Sequence, residues 1–303
     1  MNHAELITAF KQDCILLTGS ESPSRNQHIE TSLNYLHKLN PDLDWSNMTT
    51  IEAKELYGQF LSSDLADTTK ALRSRFILQF FKFLIDDKYN TILEKEVIGK
   101  LKVHSKKPYV LDESQILTEK QVISLLNFKF NKRVLPIEQK LIMCFTFGGA
   151  ARINEALHIR FKDVKRGTYE TGEAYYRVFI NDTKTNKHRT TFICIPYMIS
   201  ILDDYIKTLG IVNMNYYFVT NSETCMDYST VRYWYDKLRK ATGISCLTSH
   251  KGRKFNISYR IAHGESISSV SMTSHGSPNS PALKHYLHLR EDEILSNIMR
   301  RNK

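Results

Sequence analysis

Apolar residues recur at helical spacing through the first third of the chain. Between His28 and Leu39 they fall three or four positions apart, at Ile29, Leu33 and Leu36. The same spacing recurs in MTTIEAKELYGQFL and in DTTKALRSRFILQFFKFLID. Amphipathic helices in succession bury their apolar faces against one another. The pattern therefore predicts a small helical bundle over residues 1–90.

The helical pattern weakens after Asp86. The stretch KEVIGKLKVHSKKPYVLDES is rich in lysine and contains Pro108. It predicts an extended basic linker over residues 91–113. Two interpretations of its lysines stay open, namely a solvated loop and a strap that crosses a nucleic-acid backbone.

Helix and strand patterns are mixed from residue 114 to residue 303. Thr118 and Gln121 form a capping-box pattern at the start of LTEKQVISLLNF. Helices are also predicted in IEQKLIMCFTF, ARINEALHI, YMISILDDYIKTLG, VRYWYDKLRKATG and KFNISYRIAHG. YYRVFI and TTFICIP predict strands joined by the polar turn NDTKTNKHR. The fold class predicted for the whole chain is mainly α with a small antiparallel β-sheet (α+β), with a second domain over 114–303.

Basic residues exceed acidic residues over the whole chain. Lys and Arg number 42 against 32 Asp and Glu, a formal net charge of +10. This excess favours a polyanionic partner, with nucleic acid as the first candidate, and general solubility is the alternative interpretation. The same two interpretations, a DNA-phosphate contact or a solvated face, apply to six basic residues of the bundle and linker: Lys70, Arg73, Arg75, Lys102, Lys106 and Lys107.

Several classes of protein are disfavoured by the composition. The five cysteines are far apart and include no CxxC pair, which predicts reduced, mostly buried thiols rather than a disulfide framework or a zinc site. The N-terminal MNHAELITAFKQDCILL is too polar for a signal peptide. No stretch reaches the roughly 18 apolar residues that a membrane helix needs. We therefore expect a soluble, cytoplasmic protein.

Polar residues interrupt the predicted elements of the second domain in a definite order. Arg152 and Glu155 stand three residues apart after a Gly-Gly break, and Lys184 lies in the hairpin turn. His250 and Arg253 stand three residues apart where a helix is predicted to begin. Two further residues follow in SHGSPNSPALKHYLHL: His275, in a predicted loop, and Tyr286, in a short helical run. Each motif alone is common, because an Arg-x-x-Glu pair is usually an ordinary helix ion pair.

Taken together, the ordered motifs resemble the tyrosine recombinase family, the phage-type and Xer-like integrases. GGAARINEALHIRFKDV is similar to that family's first box and TKTNKHRTTFICIP to its lysine hairpin, in which Lys187 is the alternative to Lys184. SHKGRKF is similar to the His-x-x-Arg box, although Lys251 and Gly252 depart from the residues common there. SHGSPNSPALKHYLHL resembles the last box, with about two residues more than usual between His275 and its tyrosine. The resemblance extends over nearly the whole chain.

The resemblance implies a DNA-binding helical domain, a catalytic domain with a C-terminal tail helix, and a reaction that needs no metal ion, other cofactor or ATP. In that reaction a tyrosine attacks a DNA phosphodiester, leaving a 3′-phosphotyrosyl link and a free 5′-hydroxyl. Two arginines would offset phosphate charge as it develops, and a lysine would protonate the leaving oxygen. The implied catalytic residues are Arg152, Arg253, Lys184 as the acid, His250 as proton acceptor or orienting group, His275 on the phosphate and Tyr286 as nucleophile, with Glu155 in support.

The resemblance also implies partners and a setting. We expect double-stranded DNA, a homotetramer on two DNA sites, and an accessory or host recombinase as a possible further partner. A nucleoid-associated protein encoded by a bacterium, phage or plasmid fits this expectation. Two alternatives stay open at this point: a type IB topoisomerase-like enzyme, and a non-catalytic DNA-binding protein of the same fold.

Overall fold

The chain forms two compact units, Met1–Tyr109 and Val110–Lys303. The computed structural model describes residues 1–104, 116–130, 133–182, 187–248 and 250–283. The boundary between the units lies inside the predicted linker.

The first unit is helical, as predicted. Its first three helices begin with side chains that satisfy their first backbone N–H groups: Asn2 and Thr49 form capping boxes, and the Ser22 side chain accepts from Arg25 N. Trp45 and Phe80 lie at the centre of the core with ring centroids 5.0 Å apart. The helices are α1 (His3–Thr18), α2 (Pro23–Leu39), α3 (Thr50–Ser62), α4 (Asp67–Asp86) and α5 (Lys95–Lys100).

Helix α5 corrects the prediction of an extended linker. It lies within residues 91–113, and Leu93 and Ile98 are buried in the core of the first unit. The Tyr57 hydroxyl also donates to the Lys102 carbonyl at 2.8 Å. The prediction was wrong here because it was based on the lysines. The apolar residues between them are buried, and their burial holds the segment on the bundle.

In its described residues, the second unit combines helices with two small antiparallel sheets. The strands are β1 (Lys129–Phe130), β2 (Arg133–Val134), β3 (Val164–Thr168), β4 (Ala174–Asp182) and β5 (Lys187–Ile193), paired as β1-β2 and as β3-β4-β5. The helices are α6 (Glu119–Leu126), α7 (Ile137–Met143), α8 (Ile153–His158), α9 (Pro196–Leu209), α10 (Tyr228–Thr242), α11 (Lys251–Ala262) and α12 (Ile267–His275). The predicted strands β4 and β5, and the capping box of Thr118 and Gln121 at α6, are confirmed.

Strand β5 sends alternate side chains into the core of the second unit. Arg189, Thr191 and Ile193 are buried, whereas His188 and Phe192 are exposed. The inner face of β4 likewise carries three buried residues, Tyr176, Val178 and Ile180. Because side chains alternate between the faces of a strand, the Arg189 side chain lies on the face of β5 that packs against the core.

Two expectations drawn from composition can be set against the structure. All five cysteines, which lie in the described ranges, are free thiols, but only Cys144 is fully buried and Cys194 is exposed, so the prediction of mostly buried thiols was wrong. Burial raises the pKa of the Cys144 thiol. Among the described residues no helix is both long and apolar enough to cross a membrane.

Candidate active site

A π-helical turn determines where the first predicted site residues begin. Helix α7 continues into this turn, Cys144–Gly148, and the chain then leaves it through Gly149 and Ala150. A Cβ atom on Gly148 would lie 2.7 Å from Met198 Sδ, and one on Gly149 would lie 3.0 Å from the Phe145 carbonyl oxygen. Ala150 has a left-handed φ of 52°. The two glycines therefore let the backbone pack closely against its neighbours as it leaves the π-helical turn, and this path places the next residues at the start of α8.

Helix α11 packs directly on the π-helical turn. A Cβ atom on Gly252 would lie 2.5 Å from Phe147 Cδ1, closer than real Cβ atoms approach. Asn256 Nδ2 donates to the carbonyl oxygens of Phe147 at 2.9 Å and Gly148 at 2.7 Å. The glycine that departs from the common His-x-x-Arg pattern thus permits this contact, which holds α11 against the π-helical turn that precedes α8.

Arg152 occupies the N-cap position of α8 and is held by Glu155. Its Nη1 donates to Glu155 Oε1 at 2.5 Å, and its backbone N–H donates to Oε2 at 2.6 Å. The Arg152 side chain is 44% exposed and that of Glu155 is 6% exposed. The guanidinium is therefore oriented from the protein side while remaining accessible to a ligand.

Arg253 reaches the same place from the first turn of α11. Its Nη1 donates to the Ala150 carbonyl at 2.8 Å and its Nη2 to the Ser274 carbonyl at 2.5 Å. Nη1 also lies 3.9 Å from Glu155 Oε2. The two predicted arginines therefore converge on one carboxylate, although 101 residues separate them in the chain (253 − 152).

Arg189 of β5 is a third arginine at this carboxylate, and the sequence reasoning missed it. Its Nη1 and Nη2 donate to Glu155 Oε1 at 2.8 Å and Oε2 at 2.5 Å, and its Nε donates to the Thr273 carbonyl at 3.1 Å. The side chain is only 4% exposed. The signal that could have revealed it is strand alternation, which puts Arg189 in line with Thr191 and Ile193, because a buried charge needs a partner.

The arginines keep Glu155 ionised. Burial raises the pKa of Glu155, but hydrogen bonds and charge from Arg189, followed by those from Arg152, outweigh it and lower the pKa to about 2. Within the described residues three guanidinium groups share this single carboxylate. The cluster therefore carries excess positive charge and suits an anionic ligand.

His275 belongs to the same cluster, although the prediction that it lies in a loop was wrong. It is the last residue of α12, which ends at Gly276 in a left-handed conformation. The Ser274 hydroxyl donates to the Val270 carbonyl, so it accepts from Nδ1 of His275 at 2.8 Å. Burial, and then the charges of Arg253, Arg152 and Arg189, lower its pKa to about 4 against an opposing effect of Glu155. The ring is therefore neutral near pH 7, with Nε2 as the acceptor nitrogen.

The other predicted catalytic residues are not joined to this cluster by described contacts. His250 is exposed and precedes α11, one turn before Arg253, as predicted. Lys184 and Tyr286 lie outside the described residues. Lys187 begins β5, opposite Asp182.

The basic residues predicted to contact DNA in the first unit differ in their surroundings. Lys70 Nζ donates to the Leu61 carbonyl at 2.8 Å, and the Arg73 guanidinium lies 4.8 Å from the Tyr35 ring centroid. Arg75 and Lys102 are exposed. Lys106 and Lys107 lie outside the described residues.

No site for a metal ion is apparent in the part of the chain that the structure describes. There, no three His, Cys, Asp or Glu side chains are grouped closely enough to hold one. The chemistry of the cluster is that of arginine and histidine around one carboxylate.

Comparisons with known proteins match both the second unit and the whole fold. The model of the Phage integrase family matches residues 115–293. No curated protein matches the chain. One similar solved structure is the XerH site-specific recombinase bound to difH substrate, with 17% sequence identity, a TM-score of 0.62, and a match that covers 90% of this chain and 78% of that chain. A second is a lambda integrase dimer bound to a COC′ core site, with 15% identity, a TM-score of 0.65, and coverage of 92% of this chain and 97% of that chain. A third is the Tn1549 transposon integrase with circular intermediate DNA, with 15% identity, a TM-score of 0.64, and coverage of 96% of this chain and 98% of that chain. At these identities the likeness is one of fold.

Proposed function

This chain belongs to the phage integrase family, and from that premise we propose that it cleaves and rejoins duplex DNA through a phosphotyrosyl link on Tyr286. Membership makes it an enzyme of site-specific recombination. The observation that supports the proposal best is the convergence of Arg152, Arg253 and His275 around Glu155, with more positive than negative charge.

In the proposed reaction the arginines bind the scissile phosphate. A phosphodiester resists nucleophilic attack because it is anionic, and the transition state develops further charge on its non-bridging oxygens. Arg152 is accessible, and Arg253 is fixed by two backbone carbonyls, so both can face these oxygens without reorganising. Preorganised donors of this kind each lower a barrier by about 3 kcal/mol.

The covalent step exchanges one phosphate ester for another. The Tyr286 oxygen forms a bond to phosphorus while the bond from phosphorus to the 5′-oxygen breaks, and the electron pair stays on that oxygen. Lys184 gives it a proton, and His250 accepts the tyrosine proton. Attack by the 5′-hydroxyl of another strand reverses these transfers and rejoins DNA, so no external energy source is needed.

His275 completes the phosphate site in this proposal. In the unliganded cluster it is neutral, because burial and three arginines lower its pKa to about 4. A phosphate close to the ring would favour the protonated form by its negative charge. His275 would then donate from Nε2 to a phosphate oxygen, while Nδ1 stays bonded to Ser274.

Recombination requires more than one protomer, because two duplexes exchange strands. Lambda integrase has been solved as a tetramer bound to a Holliday junction. We propose the same tetramer on two DNA sites for this chain, acting in the cytoplasm on bacterial, phage or plasmid DNA. In the first unit, the exposed Arg75 and Lys102 are the candidates for contacts with the DNA backbone.

Covalent capture on randomised DNA tests the proposal and finds the target sequence in one experiment. The full-length protein is incubated with a pool of nicked duplexes of randomised sequence, and SDS-resistant protein–DNA adducts are isolated and sequenced. We expect adducts enriched in one sequence, with the protein joined to the 3′ phosphate at the break and a free 5′-hydroxyl on the other side.

A matched pair of variants identifies the nucleophile. Tyr286→Phe should bind the enriched DNA but form no adduct. Tyr169→Phe removes the hydroxyl of an exposed tyrosine in the turn between β3 and β4, and should form the adduct normally. An adduct with Tyr286→Phe would refute Tyr286 as the nucleophile. DNA binding by the wild type without any adduct would instead indicate a non-catalytic DNA-binding protein.

A further inference from the structure

We propose that Arg189 is a positioning residue for DNA cleavage, which holds Glu155 so that Arg152 and Arg253 remain directed at the phosphate. This role rests on the proposed function of the cluster. Arg189 itself is not expected to touch DNA, because its side chain is 4% exposed, compared with 44% for Arg152 and 11% for Arg253.

The contacts of Arg189 fit this role. It binds both oxygens of Glu155 through Nη1 and Nη2, which is the bidentate geometry that fixes a carboxylate plane most strongly. The same oxygens accept from Nη1 and the backbone N–H of Arg152. The orientation of Arg152 is therefore set through Glu155 by a side chain from a different element.

A second contact of Arg189 reaches the other side of the cluster. Its Nε donates to the Thr273 carbonyl in the last turn of α12, two residues before His275. Arg253 donates to the adjacent Ser274 carbonyl. The Arg189 side chain thus connects β5, which follows the predicted lysine hairpin, both to the Glu155 carboxylate and to the helix that ends in His275.

Charge gives a physical reason for the third arginine. Glu155 is buried, and among the described residues the cations that would remain beside it without Arg189 are the two arginines proposed to bind the phosphate. Each would then be drawn toward the carboxylate and would lose part of its interaction with the ligand. With Arg189 in place, the carboxylate is neutralised from the protein interior.

The test compares Arg189→Gln with Arg260→Gln in the full-length protein. Arg260 is a matched control, because it also forms a bidentate pair, with Glu265, and also contacts Thr273, through the hydroxyl, while lying outside the Glu155 cluster. With DNA enriched by covalent capture, Arg189→Gln should lower the rate of cleavage about 100-fold, the loss expected from a small misplacement of catalytic groups. DNA affinity should change less than about threefold, and Arg260→Gln should cleave within about threefold of wild type.

A readout independent of catalysis separates this inference from the proposed function. Titration of Glu155, followed by NMR of its side-chain carboxyl carbon, should give a higher pKa in Arg189→Gln than in wild type, because burial then acts against weaker compensation. Arg189→Lys keeps the charge without the bidentate geometry and should show intermediate cleavage. It also serves if Arg189→Gln does not fold.

Three results would overturn the inference. One is wild-type cleavage by the variants of Arg189, and another is an equal loss in Arg260→Gln, which would indicate a general packing role. The third is an unchanged Glu155 titration. If wild type formed no adduct while the titration shifted as expected, the proposed reaction would be wrong and the positioning of Glu155 by Arg189 would stand.

Discussion

Replacing Gly252 with alanine tests the close contact on which the geometry of the site depends. The added Cβ would meet Phe147 Cδ1 at 2.5 Å and Thr146 Oγ1 at 2.8 Å. Both side chains are fully buried, so neither can move into solvent. We expect α11 to shift away from the π-helical turn, taking the guanidinium of Arg253 away from the Ala150 carbonyl.

Two opposing effects determine how much Gly252→Ala changes the stability of the second unit. Alanine favours a helix over glycine by up to about 1 kcal/mol, whereas an extra carbon in a well-packed core costs about 1–3 kcal/mol. With the full gain in helix propensity, the net effect is a loss of up to about 2 kcal/mol. Gly58, in the middle of α3, has no atom within 4 Å of an added Cβ. Gly58→Ala should therefore stabilise its helix by about 0.5–1 kcal/mol.

Hydrogen exchange followed by mass spectrometry measures the stability of α11 and of α3 separately. Separate measurements are needed because a chain of two compact units need not unfold in one step. Exchange in α11 should become faster in Gly252→Ala, by up to about 30-fold, and exchange in α3 should become slower in Gly58→Ala. DNA cleavage by Gly252→Ala should fall about 100-fold. Slower exchange in α11 together with wild-type cleavage would refute the packing argument.

Three further outcomes follow from the same geometry. Asn256→Ala removes two hydrogen bonds to buried carbonyls and should cost about 2–4 kcal/mol in the opening free energy of α11, whereas an unchanged value would mean that these bonds contribute little. Because folding lowers the pKa of Glu155 from 4.5 to about 2, its contribution, up to about 3 kcal/mol, is present above pH 4.5 and lost as the pH falls toward 2; urea unfolding of Glu155→Gln should lack this dependence. Because folding lowers the pKa of His275 from 6.5 to about 4, its contribution to the free energy of unfolding is present above pH 6.5 and is lost as the pH falls through 4. Wild-type protein should take up a proton when it binds DNA near pH 6, whereas His275→Gln should not, as measured by calorimetry in buffers of different ionisation enthalpy.

Local features of the fold could be predicted from the sequence. The stretch DTTKALRSRFILQFFKFLID coincides with α4, Asp67–Asp86, because helical periodicity is contained within the segment itself. The capping box at Thr118 is equally local. By contrast, the helix that ends at His275 was missed, because ISSVSMTSH has few apolar residues; its real signals are the N-cap Ser266 and the left-handed Gly276.

Arg189 could not be assigned a role from its own segment, because that role depends on residues far away in the chain. Its partner Glu155 lies 34 residues earlier and Thr273 lies 84 residues later. Motif reasoning proposed the lysines of the hairpin and the arginines of the two boxes, which are recognised by spacing. A residue that acts by pairing with another is recognised only when strand alternation is combined with the burial of its partner.

The single carboxylate also explains how the arginines can converge at all. Guanidinium groups from the start of α8, from β5 and from α11 would repel one another if they were brought together alone, and the repulsion is stronger in a buried setting than in water. Glu155 offsets one of the three charges, so these four described side chains together leave a positive excess near neutral pH, where His275 is neutral. A phosphodiester supplies the missing negative charge, and its transition state supplies more. The arrangement is therefore more favourable with the bound phosphate than without it, and most favourable when charge develops during cleavage.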